Sequence, residues 1–322
     1  PAGKSSLDRK KKKKSGGAPG EKLRRAPFLF CRVSFPKRRA LSRKQDKFCH
    51  ARRVYTWKKA WGRGVARKIV ITSGKGGVGK TTVAVNLGRC LAALGERTVI
   101  ADTDFGLNNA DVVCGAEERV LFGMTDVIEG RCRARQALLP LEDSANLFLL
   151  AAGKTYERPL SPQAVRLVLD SLAPRFDYIL IDSPAGIEGG FHRACAAADE
   201  AIVVTTPHIS SLRDADKVVA VLKSYRLKSV ELVVNMVRGD MVADGEVLSP
   251  NEIAGLLKVP LLGVLPQEDG VFLGEHRRSS EGQRAFRMLA ANIAKGTRKL
   301  YNPTGRYRGF FGSIRRSLKK SL

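Results

Sequence analysis

The sequence predicts an α/β fold in which a mostly parallel sheet is flanked by helices on both faces. Short apolar, β-rich runs alternate with helical segments between residues 65 and 300, and this alternation is typical of parallel strands covered on both sides. A glycine-rich loop joins the first run to the first helical segment, and aspartates directly follow two later runs. Because parallel sheets bind ligands at the carboxyl ends of their strands, we expect the functional site there.

The first unit is a strand, a loop and a helix. Residues 69–72 form a β-rich run, and apolar residues recur at a helical period from residue 83 until Gly95. The loop between them fits the phosphate-loop pattern G-x-x-x-x-G-K-[ST]. In such a loop, backbone N–H groups converge on phosphate oxygens, and the N-terminus of the following helix favours negative charge. The predicted nucleotide-binding residues of this loop are Gly74, Lys75, Gly76, Gly77, Val78, Gly79, Lys80, Thr81 and Thr82.

The later runs supply the rest of the predicted sheet. Further strands are expected at residues 98–101, 178–181, 201–204, 232–234 and 261–265. Two segments of capping-box form, Ser211-x-x-Asp214 and Ser249-Pro250-x-Glu252, predict helices that begin there. Neither an internal repeat nor a linker rich in proline and glycine divides this part of the sequence. Residues 65–304 are therefore expected to form one nucleotide-binding domain.

Three aspartates are expected to surround the phosphates. Asp102 and Asp104 follow the second β run, and Asp182 follows the third. An isolated aspartate at a strand end is more often a turn or helix cap, so the prediction depends on all three sharing one sheet edge with the loop. We expect Lys80 to reach the β- and γ-phosphates and Asp104 to orient the attacking water. The predicted magnesium ligands, partly through water, are Thr81, Asp102 and Asp182.

Four segments resemble the MinD/ParA family of P-loop ATPases, which belongs to the SIMIBI class: residues 75–82, 102–111, 182–188 and 211–216. The resemblance covers about residues 66–322. It implies that ATP and Mg²⁺ are the cofactors. It also implies that Lys75 reaches across an ATP-bound homodimer to the nucleotide of the partner.

The resemblance assigns further roles to individual residues. It places Asp104 in switch I and Asp182 in switch II, and it implies that Asn235 and Pro266 bind adenine. Met236 follows Asn235 where many relatives have arginine, and an asparagine at a strand end is also typical of a turn. The catalytic residues implied by the resemblance are Lys75, Lys80, Asp104 and Asp182.

The resemblance implies an ATP hydrolase that positions the bacterial division septum. The expected partners are a second copy of the chain, a division inhibitor of the MinC type, and a topological factor such as MinE. A relative that places flagella would share the ATPase, and a ParA-type partition protein would bind DNA. An iron–sulfur carrier of the same superfamily would need paired ligand cysteines, whereas the six cysteines here are scattered.

The net charge of +26 lies at the two ends of the chain. Residues 1–64 hold 22 lysines and arginines against three acids, and residues 305–322 hold six bases and no acid, which leaves a net charge of +1 for residues 65–304. This nearly neutral body argues against nucleic-acid binding. Residues 1–64 are expected to be a disordered or non-native extension ahead of Val65. A basic arm for nucleic acid or lipid and an organelle transit peptide are the alternatives.

The C-terminal segment, residues 305–322, has the pattern of an amphipathic helix. Apolar side chains recur at helical spacing along one stripe, while the basic residues fall on its flanks and opposite side. Such a segment can lie on an anionic bilayer, so we expect a cytoplasmic protein that binds the cytoplasmic face of the cell membrane peripherally. A helix docked on the domain is the alternative. The predicted membrane-binding residues are Phe310, Phe311, Ile314, Leu318 and Leu322.

Overall fold

The computed structural model describes residues 65–106, 108–142, 144–153, 160–268 and 280–307. Eight strands form one sheet: β1 (Arg67–Thr72), β2 (Thr98–Asp102), β3 (Leu139–Pro140), β4 (Leu147–Leu150), β5 (Tyr178–Asp182), β6 (Glu200–Thr205), β7 (Ser229–Val237) and β8 (Leu261–Pro266). The helices of the described residues are α1 (Lys80–Ala93), α2 (Asn109–Cys114), α3 (Met124–Ile128), α4 (Pro162–Leu172), α5 (Gly189–Ala196), α6 (Ile209–Leu222), α7 (Gly239–Ala243), α8 (Pro250–Leu257) and α9 (Glu281–Lys295).

The strand order is β3-β4-β2-β5-β1-β6-β7-β8. All neighbouring strands are parallel except the short pair β3 and β4, which is antiparallel. Helix α1 packs on α9, α4 on α5 and α6 on α8. The predicted fold class, a mostly parallel sheet flanked by helices, is confirmed.

Strand β1 lies inside the sheet between β5 and β6. Its residues Val70 and Ile71 are completely buried, as are Leu180 and Ile181 on the neighbouring strand. Strands buried on both faces need continuous apolar runs, which is why the sequence identified them without an alternating pattern. The central strands thus hold the carboxyl ends of β1, β2 and β5 side by side, and the predicted phosphate-binding and magnesium-binding residues lie at or just beyond those ends.

One predicted helix start is wrong and one is confirmed. Helix α6 begins at Ile209 after His208, and the hydroxyl of Ser211, the predicted cap, instead lies 2.9 Å from the Thr206 hydroxyl inside the protein. Helix α8 begins as predicted, because the Ser249 hydroxyl accepts the backbone N–H of Glu252 and the Glu252 carboxylate accepts that of Ser249. Strands β3 and β4 were not predicted.

The predictions for the two ends of the chain lie outside the described residues. These are the extension at residues 1–64 and the membrane-binding residues Phe310, Phe311, Ile314, Leu318 and Leu322. Within the described part of the chain, every helix is too short or too polar to cross a membrane.

Candidate functional site

The phosphate loop turns sharply between β1 and α1. Gly77 and Gly79 have φ angles of 77° and 86°, which non-glycine residues rarely adopt. Val78 between them is buried. Helix α1 begins directly after Gly79 with no side-chain cap and no acidic residue in its first turn. Its first N–H groups therefore remain available to an anion, as a phosphate site requires.

Neighbouring elements hold the loop in this shape. The Ser73 hydroxyl donates to the Lys75 carbonyl at 2.7 Å, and the side-chain amide of Asn235 donates to the Val78 carbonyl at 2.9 Å. Gly74 lies so close to α6 that a Cβ atom there would be 2.2 Å from the Asp214 carbonyl oxygen. The loop is thus fixed from the β7 side and from α6.

The two lysines of the loop occupy different environments. Lys80 is buried, with 8% of its surface exposed. Burial lowers the pKa of its ammonium group below the usual value, although attraction to Asp182 and Asp104 opposes that change. Lys75 is exposed, and its Nζ lies 3.4 Å from the Ser210 hydroxyl at the start of α6. Lys80 therefore belongs to the interior of the site, while Lys75 lies on the surface beside it.

Asp182 meets the chemical requirements of a magnesium ligand. The pKa of this carboxyl is raised to about 7, mainly by burial and also by the nearby Asp102, although a hydrogen bond from Thr81 and the charge of Lys80 oppose the rise. Its Oδ1 atom is buried and has no hydrogen-bond partner. A buried carboxylate oxygen without a partner is costly, and a hard cation or its water would satisfy it. Thr81 and Asp182 thus fit Mg²⁺.

Asp102 organises the chain between β2 and α2. Its two carboxylate oxygens accept the backbone N–H groups of Asp104 at 2.8 Å and Ala110 at 3.2 Å. Burial raises the pKa of Asp102 to about 6 despite these two bonds. Both oxygens are already engaged with the backbone, so Asp102 shapes the turn that carries Asp104. Its predicted contact with magnesium stays a prediction.

Asp104 lies at the opening of the site. It is partly exposed, and its Oδ1 is 3.3 Å from the backbone nitrogen of Gly106. The same turn is joined to β5, because the Thr103 hydroxyl donates to the Asp182 carbonyl at 2.7 Å. The structure therefore brings Lys80, Thr81, Asp102, Asp104 and Asp182 to one edge of the sheet, as the sequence predicted.

The predicted adenine-binding residues lie at the ends of β7 and β8. Asn235 contacts the phosphate loop, whereas Pro266 lines a cavity of about 350 Å³ together with Val237, Arg238 and Gln267. Met236 has a φ angle of 54° where the pairing of β7 with β8 is irregular. Asn235 thus joins the loop to the end of β7, and adenine binding by Asn235 and Pro266 stays a prediction.

Sequence reasoning missed two residues that touch the predicted site. Ser210 contacts Lys75, and Thr103 joins the end of β2 to Asp182. Thr103 stands between two predicted site residues, so its position was a usable signal. The only sequence signal for Ser210 was its position next to the segment 211–216, because its contact with Lys75 depends on how α6 packs.

Replacing Gly79 with alanine is expected to weaken Mg-ATP binding at least about 10-fold and to destabilise the protein by about 1–3 kcal/mol. The residue has a positive φ angle, and a Cβ atom there would lie 2.6 Å from the Asn235 amide nitrogen. Gly255→Ala on α8 is the matched control, because Gly255 lies outside the phosphate loop, a Cβ atom there meets nothing within 4 Å and its φ angle is not positive. Calorimetric titration and thermal unfolding would measure both effects, and equal losses in the two variants would contradict the geometry.

The fold and the loop define a P-loop NTPase of the ParA type. A family model described as the NUBPL iron-transfer P-loop NTPase of the ParA group matches residues 64–269. A putative septum site-determining protein MinD from Nephroselmis olivacea is 41% identical over 258 residues, which are 78% of this chain and 94% of that protein. The chain belongs to the MinD family of septum site-determining proteins.

Solved structures agree with this assignment. The MinC:MinD cell division protein complex of Aquifex aeolicus superposes with a TM-score of 0.67 at 36% identity, covering 72% of this chain and 96% of that one. MinD of Pyrococcus horikoshii OT3, solved with Mg-ADP, has a TM-score of 0.64 at 32% identity, covering 71% of this chain and 96% of that one. A bound nucleotide with magnesium in that relative accords with the chemistry of the loop described above.

Proposed function

We propose that this protein hydrolyses ATP to ADP and phosphate as a homodimer, and that ATP binding holds it on the cytoplasmic face of the membrane, where it recruits a division inhibitor to position the septum. The observation that carries the proposal is the pair of lysines in one loop, one buried and one exposed, in a chain of the MinD family. The buried lysine serves its own site, and the exposed one is available to a second copy.

The chain's own residues account for the hydrolysis step. The N–H groups of the loop and the start of α1 bind the phosphates, and Lys80 neutralises charge between the β- and γ-phosphates. Thr81 and Asp182 would hold Mg²⁺, which supplies further neutralisation of the phosphate oxygens. Asp104, at the opening of the site, orients the attacking water. These groups lower the barrier by position and charge, since phosphoryl transfer needs little covalent chemistry from the protein.

The position of Lys75 supports the proposed dimer. Its ammonium group is exposed and contacts Ser210 rather than the carboxylates of its own site. In a symmetric dimer the same surface of each subunit meets the other, so each Lys75 would reach the nucleotide of its partner. ATP bound between two subunits then controls whether the dimer persists.

Membrane attachment is assigned to residues 309–322. A short helix with four apolar residues on one stripe binds weakly by itself, whereas two such helices on one dimer bind far more tightly through effective concentration. ATP-dependent dimerisation therefore becomes ATP-dependent membrane binding, and hydrolysis releases the subunits.

The partner proposed for the ATP-bound dimer is a division inhibitor of the MinC type. Support comes from the relative of known structure that was solved as a MinC:MinD complex. A topological factor of the MinE type is proposed to stimulate hydrolysis. Structures related at 20% identity, such as a ParA family ATPase of Chlorobium tepidum, share the fold alone and give no support to a role in DNA partition.

Sedimentation with vesicles of anionic phospholipid tests this proposal. We expect the full chain to sediment at least about fivefold more with a slowly hydrolysed ATP analogue than with ADP. The reason is that only the dimer presents two copies of residues 309–322 to the membrane. A chain that lacks residues 309–322 is expected to remain in the supernatant with either nucleotide. Vesicles of zwitterionic lipid serve as the control for charge. Equal binding in all these samples would reject nucleotide-controlled attachment.

A further inference from the structure

An arginine on α5 contacts the residue that follows Asp104. The guanidinium carbon of Arg193 lies 5.8 Å from the centre of the Phe105 ring, within the range of a cation–π interaction. Within the ranges that the structure describes, Arg193 has no ion pair, and its Nε atom is buried without a hydrogen-bond partner. The aromatic ring is thus the favourable partner that the structure gives this charge.

The helix that carries Arg193 is firmly attached to the body of the protein. Phe191, Ala194 and Cys195 on its inner face are buried, and the Phe191 ring meets the Tyr225 ring edge-on with centroids 6.4 Å apart. A helix fixed in this way can act as a stable support for a loop. Phe105 is partly exposed and belongs to the turn between β2 and α2. The contact therefore joins a rigid helix to the turn that carries Asp104.

The same arginine lies against the segment that follows Asp182. Its terminal nitrogens are 3.5 Å from where Cβ atoms would stand at Gly189 and Gly190, and a Cβ atom at Gly190 would also lie 2.4 Å from Pro184. The guanidinium thus covers the first turn of α5, where the positive end of the helix dipole disfavours a cation. The ring of Phe105, and not the helix end, supplies the attraction that holds Arg193 in this position.

We propose that Arg193 is a positioning residue for hydrolysis: through Phe105 it holds the turn that carries Asp104 in a fixed relation to Asp182. This inference rests on the proposed ATP hydrolysis and names a determinant of its geometry. Asp104 and Phe105 are adjacent, so their Cα atoms are about 3.8 Å apart and a shift of the ring moves the carboxylate. Displacements of about 1 Å are enough to slow a reaction that depends on orientation.

Arg193 is expected to affect kcat and not the affinity for Mg-ATP. The nucleotide contacts assigned above come from the loop, Lys80, Thr81 and Asp182, and Arg193 is not among them. Loss of the contact with Phe105 should therefore lower kcat and leave the affinity for Mg-ATP unchanged. A purely structural role would instead lower the thermal midpoint of unfolding, and a direct contact with nucleotide would raise KM.

A double-mutant cycle tests the inference in the full chain. Arg193→Met and Phe105→Leu keep apolar bulk but remove the cation or the ring, and each is expected to lower kcat about threefold to tenfold with KM within about twofold of the parent. The double variant is expected to match the single variants, because both remove one interaction. Phe105→Tyr keeps the ring and is expected to retain at least about half of the parental kcat. Arg226→Met, at an exposed arginine after α6, is the matched control and should leave kcat unchanged.

Each result either supports or overturns the inference. Effects that multiply in the double variant, a raised KM with unchanged kcat, or a loss of activity that follows a loss of thermal stability would each overturn it. An active parent with unaffected variants overturns this inference alone. A parent that binds Mg-ATP but does not hydrolyse it overturns the proposed function and this inference together.

Discussion

Replacing Asp182 with asparagine is expected to lower the rate of ATP hydrolysis at least about 100-fold and, at the same time, to stabilise the nucleotide-free protein. The rate falls because the variant loses the carboxylate that would hold Mg²⁺ beside Thr81. Stability rises because the wild-type carboxylate is buried, has an unpartnered Oδ1 atom, and has a pKa that burial raises to about 7. A neutral amide removes the cost of ionising this group inside the protein.

The stability effect has a definite pH dependence. Asp182 has a higher pKa in the folded protein, about 7, than the ordinary value of 3.8 for an aspartate exposed to water. Its contribution to stability is therefore fully present below pH 3.8 and is lost as the pH rises towards 7. The thermal midpoint of Asp182→Asn should exceed that of the parent by several degrees at pH 7.5, and this difference should narrow as the pH falls towards 4.

Thermal unfolding without magnesium or nucleotide would measure this difference. Glu118→Gln removes a carboxylate at an exposed position and is expected to change neither the thermal midpoint nor hydrolysis. A lower midpoint for Asp182→Asn at pH 7.5 would show that the charged carboxylate is stabilised by contacts other than those described.

Replacing Lys75 with alanine is expected to abolish hydrolysis while leaving Mg-ATP binding to the monomer nearly unchanged. The side chain is exposed and contacts Ser210, so it contributes little to the phosphate site of its own chain. Lys80→Ala is the contrasting variant, because Lys80 is buried between the loop and the carboxylates, and we expect it to lose at least about 10-fold in nucleotide affinity.

A mixing experiment shows whether Lys75 acts across the dimer. Lys75→Ala and Asp104→Ala are each expected to be inactive. In a mixed dimer, one site would combine Asp104 of the first subunit with Lys75 of the second and would be complete. An equal mixture should then recover about a quarter of the parental rate, since half of the dimers are mixed and each has one complete site. If Lys75 acts within its own chain, the mixture stays inactive.

The sequence was informative where the chemistry demands particular residues at fixed spacing. The phosphate loop needs glycines with positive φ angles followed by a helix start, and Gly77, Gly79 and Lys80 satisfy this within a few positions. The central strands could also be identified from the sequence, because burial on both faces requires short continuous apolar runs. The aspartates could be placed because Asp102 and Asp182 end two of those strands and Asp104 lies two residues beyond the first of them.

The sequence was less informative where long-range packing decides the outcome. Ser211 has the local pattern of a helix cap, but its buried contact with Thr206 is available only once α6 is docked, and the helix begins earlier. Strand β4 is itself a short continuous apolar run of four residues, so the sequence carried a signal for it, which was missed because no aspartate follows the run. Phe105 lies in the segment 102–111 that resembles the family, but Arg193 is far from it in sequence, and their contact depends on how α5 packs.

The central position of β1 protects the phosphate loop from unfolding that begins at the margins of the sheet. Four strands lie on one side of β1 and three on the other, so fraying that begins at either margin must pass through several paired strands before it reaches the anchor of the phosphate loop. Partial opening of the margins is expected to cost less free energy than opening of the centre. The phosphate loop should therefore keep its shape through marginal unfolding and lose it only when the whole domain melts cooperatively.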